Sequence, residues 1–483
     1  MCNLLQNPSF EVGLGGWGFN NVSLESRFAF EGTQAALMNT GISSLYQDIM
    51  LPETGNRPLL LSFSALSLYD KLIRPERGNL VVEVIWQNGS GNPIGTGLRL
   101  LIPTTMLVDN DNRLTYVEVT DRPPTNAVRA RLQFSKAVLV AGNNSIIIDN
   151  IILAPMEDIN LITNPGFQER LFDWTSTNSG ASGSLSYEGT INAVLNSGGI
   201  GSIYQDVPIS SLPANSSYLL SFAARRGTVG SDILVKVDYR NNVGSLGLGL
   251  NLLIPANTLN QRGWKTYAVA TDIEAPAGAT IARVSFEGTD PNILTLVDNA
   301  ILTMVKTPNL MLNPSFEDAL NNWTSENVVS TTSGDEFEGE LHARAGGSSF
   351  IFQDVNIEGA GCCYLLTFGA QGVIDFDALA EVIWLNSEKR EIGLGTSLVI
   401  PKFALFKQSP TGQSTLIWTL FASVTEPAPP EATAARILFS VPASSTMEID
   451  LVSFTGISCP PPQLTRGIKY QDILNDGSAN KRK

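Results

Sequence analysis

One nine-residue phrase is written three times along this chain, and the copies stand a whole domain's length apart. Asn3-Leu-Leu-Gln-Asn-Pro-Ser-Phe-Glu11 returns over residues 160–168 and again over 309–317, each time with a tryptophan close behind, at Trp17, Trp174 and Trp323. A spacing of about 150 residues is too long for a solenoid unit and right for an independent core. The rest of the period repeats too. Glu31-Gly32 corresponds to Glu188-Gly189 and Glu338-Gly339, and Gln47-Asp48 to Gln205-Asp206 and Gln353-Asp354. A Leu-Leu-(Ser/Thr)-Phe stretch ends at Phe63, Phe222 and Phe368, a glycine pair follows at Gly95/Gly97, Gly247/Gly249 and Gly393/Gly395, and each copy closes on Asp149, Asp298 or Asp450. The chain therefore reads as three tandem domains, 1–156, 157–306 and 307–456, with a tail of its own over 457–483.

Within each copy the pattern is that of strands. Short stretches rich in branched and aromatic residues, such as 59–65, 80–86 and 130–134, are punctuated by Gly, Pro, Asn and Asp, and helical periodicity is nearly absent. Without βαβ alternation the expectation is all-β: three tandem antiparallel β-sandwich, or jelly-roll, domains. The joints at 155–159 and 305–308 are too brief for flexible linkers, so the domains are expected to touch and form a semi-rigid rod.

Charge and hydropathy remove several partners. The net charge of −15 speaks against a nucleic-acid partner or an anionic membrane surface, and no run nears the roughly 18 apolar residues of a membrane span. The first residues lack the basic and apolar regions of a secretory signal, so the protein is expected either to be processed already or to reach an extracellular or spore surface by another route. Catalysis finds little footing. His342 is the chain's single histidine and has no counterpart in the other copies, so a Ser-His-Asp device is not expected; His342 reads as a surface strand residue. The glycine pairs lack a following Lys-Ser/Thr and read as hairpin or bulge glycines, and the protein is taken as non-enzymatic.

Together, the repeated Asn-Pro-(Ser/Gly)-Phe-(Glu/Gln) phrase, the tryptophan behind it, Glu-Gly, Gln-Asp and the Asp-bearing last strand resemble the galactose-binding-like jelly rolls typified by carbohydrate-binding modules of xylanases and cellulases. The resemblance covers about 450 residues, and similar modules occur in bacterial surface and spore-associated proteins. It implies a structural Ca2+ joining first strand to last. Glu11 with Asp149 and Glu317 with Asp450 would supply carboxylates, while Gln168 opposite Asp298 would weaken the middle site. The alternative is that these acids cap strand ends without metal. The opening tryptophans read as core, whereas Trp86, Tyr239 and Trp384 share one strand position and form a candidate glycan platform. Their neighbours differ, with Glu83, Lys236 and Glu381 on one side and Gln87, Arg240 and Leu385 on the other, which weakens a lectin reading.

Four cysteines stand outside the repeated pattern: Cys2, the adjacent pair Cys362 and Cys363, and Cys459 at the head of the tail. Their positions suggest cross-links between subunits, the other reading being inert thiols in a reducing compartment. The tail offers a stiff Pro460-Pro-Pro462 spacer, a 468–474 segment able to pair with a neighbour's sheet edge, and a basic end at Lys481-Arg482-Lys483. These features lead to the expectation of a non-catalytic homopolymer subunit of a surface fibre, appendage or spore layer. The alternative is an array binding polysaccharide or cell-surface glycans through three weak sites.

Overall fold

The computed structural model describes residues 2–52, 56–68, 79–103, 113–136, 144–227, 231–260, 263–402, 404–408 and 414–459. The tail segments 460–462, 468–474 and 481–483 lie outside these residues. The described part is antiparallel β throughout, apart from one 3-10 turn at Thr258–Asn260. This is the all-β architecture expected of the sequence.

The first repeat builds two five-stranded sheets. One runs, in spatial order, Gly18–Asn20, Ser43–Met50, Arg129–Lys136, Leu80–Gln87 and Pro93–Ile102; the other runs Val22–Glu25, Ala35–Met38, Ser145–Pro155, Leu59–Leu68 and Leu114–Val119. The second repeat reproduces both orders, from Thr175–Thr177 to Ser245–Ile254 and from Gly180–Ser182 to Lys265–Ala270. In the third repeat the long strand His342–Asn356 pairs with Thr446–Ser458 at its start and with Ala434–Val441 further on. Its two layers therefore join into one eight-stranded sheet.

Burial separates the two layers. Ser43–Met50 alternates buried and open positions, as a sheet with one wet face should, and so do Leu80–Gln87 and Arg129–Lys136 over most of their length. Leu59–Leu68 and Ser145–Pro155 are buried almost without a break, and Leu114–Val119 throughout. Something must cover the second face of that inner layer, and it is the other repeats.

Three equivalent junctions do this. In each, the Glu-Gly loop of one repeat docks on the next: Gly189 donates its N–H to the Leu101 carbonyl at 2.8 Å, Gly339 to Leu253 at 2.8 Å, and Gly32 to Val399 at 2.9 Å. The aromatic residue before each Glu-Gly stacks on an inner-strand ring of the neighbour, Tyr187 on Tyr116, Phe337 on Tyr267 and Phe30 on Phe421, with centroids 4.5, 4.5 and 4.4 Å apart. The third junction joins the first repeat to the last. The expected rod is therefore corrected: the contacts run one to three, three to two and two to one, closing a ring with pseudo-threefold symmetry. The rod fails because the inner layer is apolar on both faces and an open array would leave two such faces in water.

The ring is also closed covalently. Cys2 bonds Cys363 and Cys362 bonds Cys459, leaving no free cysteine among the described residues. The expected inter-subunit cross-links are thus corrected to intrachain bonds; the fold brings Cys2 and Cys459 beside the Cys362-Cys363 pair, which sequence distance had hidden. Bridging residues 361 positions apart restricts the unfolded chain strongly.

Two measurements test this architecture. Gly32 has φ +66° and its added Cβ would meet the Glu11 carboxyl at 2.5 Å, whereas Gly41, at φ +83°, has open space around it. Gly41→Ala should cost about 1 kcal/mol from backbone strain alone and Gly32→Ala more, because the Glu11 carboxyl that caps the loop must also shift, read from urea midpoints; equal costs would refute the Glu11 cap on the junction loop. Cys2→Ser should lower the melting temperature, by about 2–4 kcal/mol of stability, without changing the mass in solution measured by sedimentation.

Candidate functional site

Much of the repeated phrase is occupied in holding the fold. Asn3 donates to the Ile151 carbonyl at 2.9 Å and accepts from Leu153 N–H at 3.0 Å, pinning the opening segment to the last strand; Asn160 and Asn309 make the same pair of bonds with 300/302 and 452/454. Asn7 ties its loop by donating to Gly13 and Gly15 carbonyls, and the indole N–H of Trp17 donates to Asn7. Trp174 and Trp323 bond Asn164 and Asn313 in the same way, and the three indoles are 6, 6 and 8 % exposed, the core role expected of them.

The carboxylates named as calcium ligands sit at the root of the junction loops. Asp149 is fully buried and accepts from Phe30 N–H at 2.6 Å, Glu31 N–H at 3.1 Å and Asn150 N–H at 2.8 Å. Asp298 and Asp450 repeat this role with Tyr187 and Glu188 and with Glu338. Glu11 Oε1 accepts Thr33 and Gln34 N–H, both at 2.8 Å, and Glu317 Oε1 accepts Glu340 and Leu341 N–H at 2.9 and 2.8 Å. Gln168 keeps the acceptor role through Thr190, so the same loop forms without the charge. A calcium shell needs six to eight free oxygens. Here the oxygens face N–H donors, and no acidic, His or Cys cluster among the described residues has metal-binding geometry. The residues present therefore do not fit a calcium ion; they cap the loops.

Burial leaves these acids uncharged over part of the accessible pH range. Desolvation pushes Asp149, Asp298 and Asp450 well above the ordinary aspartate value, and Glu188 and Glu338 up to about 7. Glu338 is partly offset by bonds from Ser315 and Leu253 N–H; Glu188 faces Gly166 where Glu338 faces serine.

The remaining expectations also meet the structure. Trp86, Tyr239 and Trp384 are 1, 0 and 1 % exposed, so the candidate glycan platform is corrected to core. The glycine pairs explain why: a Cβ at Gly97 would lie 2.4 Å from the Trp86 ring, at Gly249 2.5 Å from Tyr239 and at Gly395 2.9 Å from Trp384, so glycine backbone covers each ring. His342 is corrected from surface to core. It is fully buried, with its nitrogens 3.8 Å from Glu336 and 3.7 Å from Glu448 and its ring edge-on to Trp418.

What the repeats share on their wet faces had no signal in the opening phrase. On each outer sheet an arginine clamps an aspartate across the strand pair and lies over an aromatic ring. Arg131 reaches Asp48 at 2.7 and 2.7 Å with its guanidinium 4.3 Å from the Tyr46 centroid. Arg283 does so with Asp206 at 2.6 and 2.8 Å over Tyr204 at 3.9 Å, and Arg436 with Asp354 at 2.7 and 3.1 Å over Phe352 at 4.2 Å. The arginine side chains remain 32, 27 and 23 % exposed. Around this constant stack the neighbours vary: Gln133 and Glu83 pair beside the first, Ser285 and Lys236 beside the second, Leu438 and Glu381 beside the third. The Gln-Asp on one strand and the Arg on another about 80 residues later were visible, but only the register placed them face to face on adjacent strands.

No protein-family profile and no curated protein matches the chain. Among solved structures, the tandem family 22 carbohydrate-binding modules of Paenibacillus barcinonensis Xyn10C are similar at 15% identity and TM-score 0.27, covering 63% of this chain and 98% of theirs. A family 61 carbohydrate-binding module solved with beta-1,4-galactotriose is similar at 19% identity and TM-score 0.23, covering 30% and 98%. The enzymatically active domain of bacteriophage CBA120 tailspike protein 4 is similar at 18% identity and TM-score 0.26; 32% of this chain matches 22% of that one.

The buried acids set a pH dependence. A carboxyl raised in the folded state stabilises it below the unfolded value of about 4.5, and that contribution is lost as the pH climbs through about 7. The melting temperature should fall across this window in wild-type protein and fall less in Glu338→Gln, while a chelator leaves it unchanged; a rise with pH, or a drop with chelator, would contradict the capping role.

Proposed function

We propose that this protein is a non-catalytic, trivalent carbohydrate-binding protein, with the outer sheet of each repeat as a contact face. The observation that supports this reading is the arginine–aspartate–aromatic stack built three times on the wet faces of a closed ring. Each stack is partly exposed and held by a two-point ion pair, and its carboxylate and guanidinium keep lone pairs and N–H groups for the paired hydroxyls of a sugar. The changing neighbours give each face its own preference among sugars. Ring closure points the three faces in different directions, so one molecule engages separate chains or distant parts of one polymer and gains avidity.

Binding without chemistry agrees with the fate of the chain's single histidine, which is sealed in the core. Two intrachain disulfides agree with an oxidising, extracellular setting. No described helix is long and apolar enough to cross a membrane. Polymerisation through cysteines has lost its chemical means, since all four are paired within the chain.

Affinity electrophoresis against a panel of soluble plant and bacterial polysaccharides tests the proposal. At least one polymer should retard the protein. Arg131→Ala, Arg283→Ala and Arg436→Ala should each weaken binding about tenfold at their own face, and the triple variant should lose about 100-fold or more as avidity disappears. Absence of retardation by every polymer, or undiminished retardation of a folded triple variant, would reject the function.

A further inference from the structure

The three outer faces share the arginine–aspartate–aromatic stack but differ in the charges around it. On the second face each cation has its own carboxylate: Arg283 pairs with Asp206, Arg240 with Asp238 and, at 3.8 Å, Lys236 with Glu287. On the third, Arg436 is shared between Asp354 and Glu391 while Glu381 accepts from Ser397, so carboxylates are in excess. The first face reverses this balance. Arg99 pairs with Glu83 and Arg131 takes both oxygens of Asp48, which leaves Arg129 without a carboxylate of its own.

Arg129 lies two residues before Arg131 on the strand Arg129–Lys136, so both side chains leave the same wet face, roughly 7 Å apart along the strand. Met50 and Gln87 stand opposite it on the two flanking strands. Its Nε is shielded from water without a hydrogen-bond partner, which sets the stem down on the sheet and turns the terminal N–H groups outward. Among the described residues its guanidinium stands in no ion pair. Asp48 feels its charge, but the bonds from Arg131 are the main reason that this carboxyl lies below the ordinary aspartate range. The equivalent positions are Ile281 and Ala434, which pair in the same register with Arg240 and Leu385. An apolar side chain therefore meets the structural need. A guanidinium there is left with donors that a ligand can satisfy.

Resting on the reading of the outer faces as sugar-contact surfaces, we infer that the first face selects acidic sugars, Arg129 binding the carboxylate of a uronate unit seated on the Arg131–Asp48–Tyr46 stack. A planar carboxylate matches the guanidinium fork and takes two charge-assisted hydrogen bonds from it. The excess carboxylates of the third face and the net charge of −15 oppose a densely charged polymer. The ligand class that fits all three faces is a heteropolysaccharide with uronates spaced among neutral sugars. The first face reads the acid, and the other two take neutral units.

Calorimetric titration of the full chain with glucuronoxylan, xanthan and alginate, each beside its carboxyl-reduced form, and with a sulfated galactan tests the assignment at about 0.15 M salt, where long-range repulsion is screened. At least one uronate polymer should bind about tenfold or more tighter than its reduced form. Arg129→Ile, which installs the residue of the second repeat, should remove that difference and leave the reduced form bound as before; Arg129→Gln gives the same readout if the isoleucine variant does not fold. Arg390→Gln, which takes the same charge from an exposed hairpin, should keep the difference. Equal affinity for acidic and reduced forms, an undiminished preference in folded Arg129→Ile, or tighter binding of the sulfated galactan than of every uronate polymer would overturn the selectivity and leave the outer faces as sugar sites. Failure of every polymer to bind, acidic or reduced, would remove both.

Discussion

The ring rests on a buried aspartate at the end of each repeat. Asp149, Asp298 and Asp450 hold the backbone of the Glu-Gly loop from the last strand, and that same loop carries the aromatic ring and the glycine N–H that enter the neighbouring repeat. Folding within a repeat and closure between repeats therefore share one set of hydrogen bonds. A repeat that has not placed its last strand has no loop to offer, and a repeat without a neighbour keeps an apolar inner layer exposed. This coupling makes a single cooperative unit out of three similar sequences.

Such coupling also assigns work to the repeated residues. The asparagines, the Glu-Gly loop and the glycine pairs all serve packing, capping or ring coverage. Repetition along this chain is thus first a record of structural need. Where the copies diverge, at Glu83, Lys236 and Glu381 or at Arg129, Ile281 and Ala434, the fold tolerates the difference and chemistry is free to vary.

The strands were legible because period-two alternation and punctuating glycines are local signals, and the tryptophan cores because each lies ten residues beyond the asparagine it bonds. Closure was not legible. The run 59–66, apolar apart from Ser62 and Ser64, announces a strand buried on both faces but does not say what covers it. The pairing of Cys2 with Cys363 depends on that closure, whereas the burial of His342 depends on Glu336, Trp418 and Glu448 of its own repeat, which its strand pattern does not announce. Trp86, Tyr239 and Trp384 misled for a related reason: an aromatic residue on an alternating strand looks available until register brings a glycine across from it. The outer arginine stacks combine a motif visible in sequence with a partner about 80 residues away, a distance no local pattern spans.

The two disulfides have a mechanical meaning. Cys2 and Cys459 attach to neighbouring residues, so the shortest covalent path between Cys2 and Cys459 runs through two sulfur bridges and the single peptide bond between Cys362 and Cys363. Tension applied across those two cysteines loads this short path and bypasses the sheets. All three sandwiches then remain unstretched behind a covalent shunt, and their outer faces keep their geometry under load.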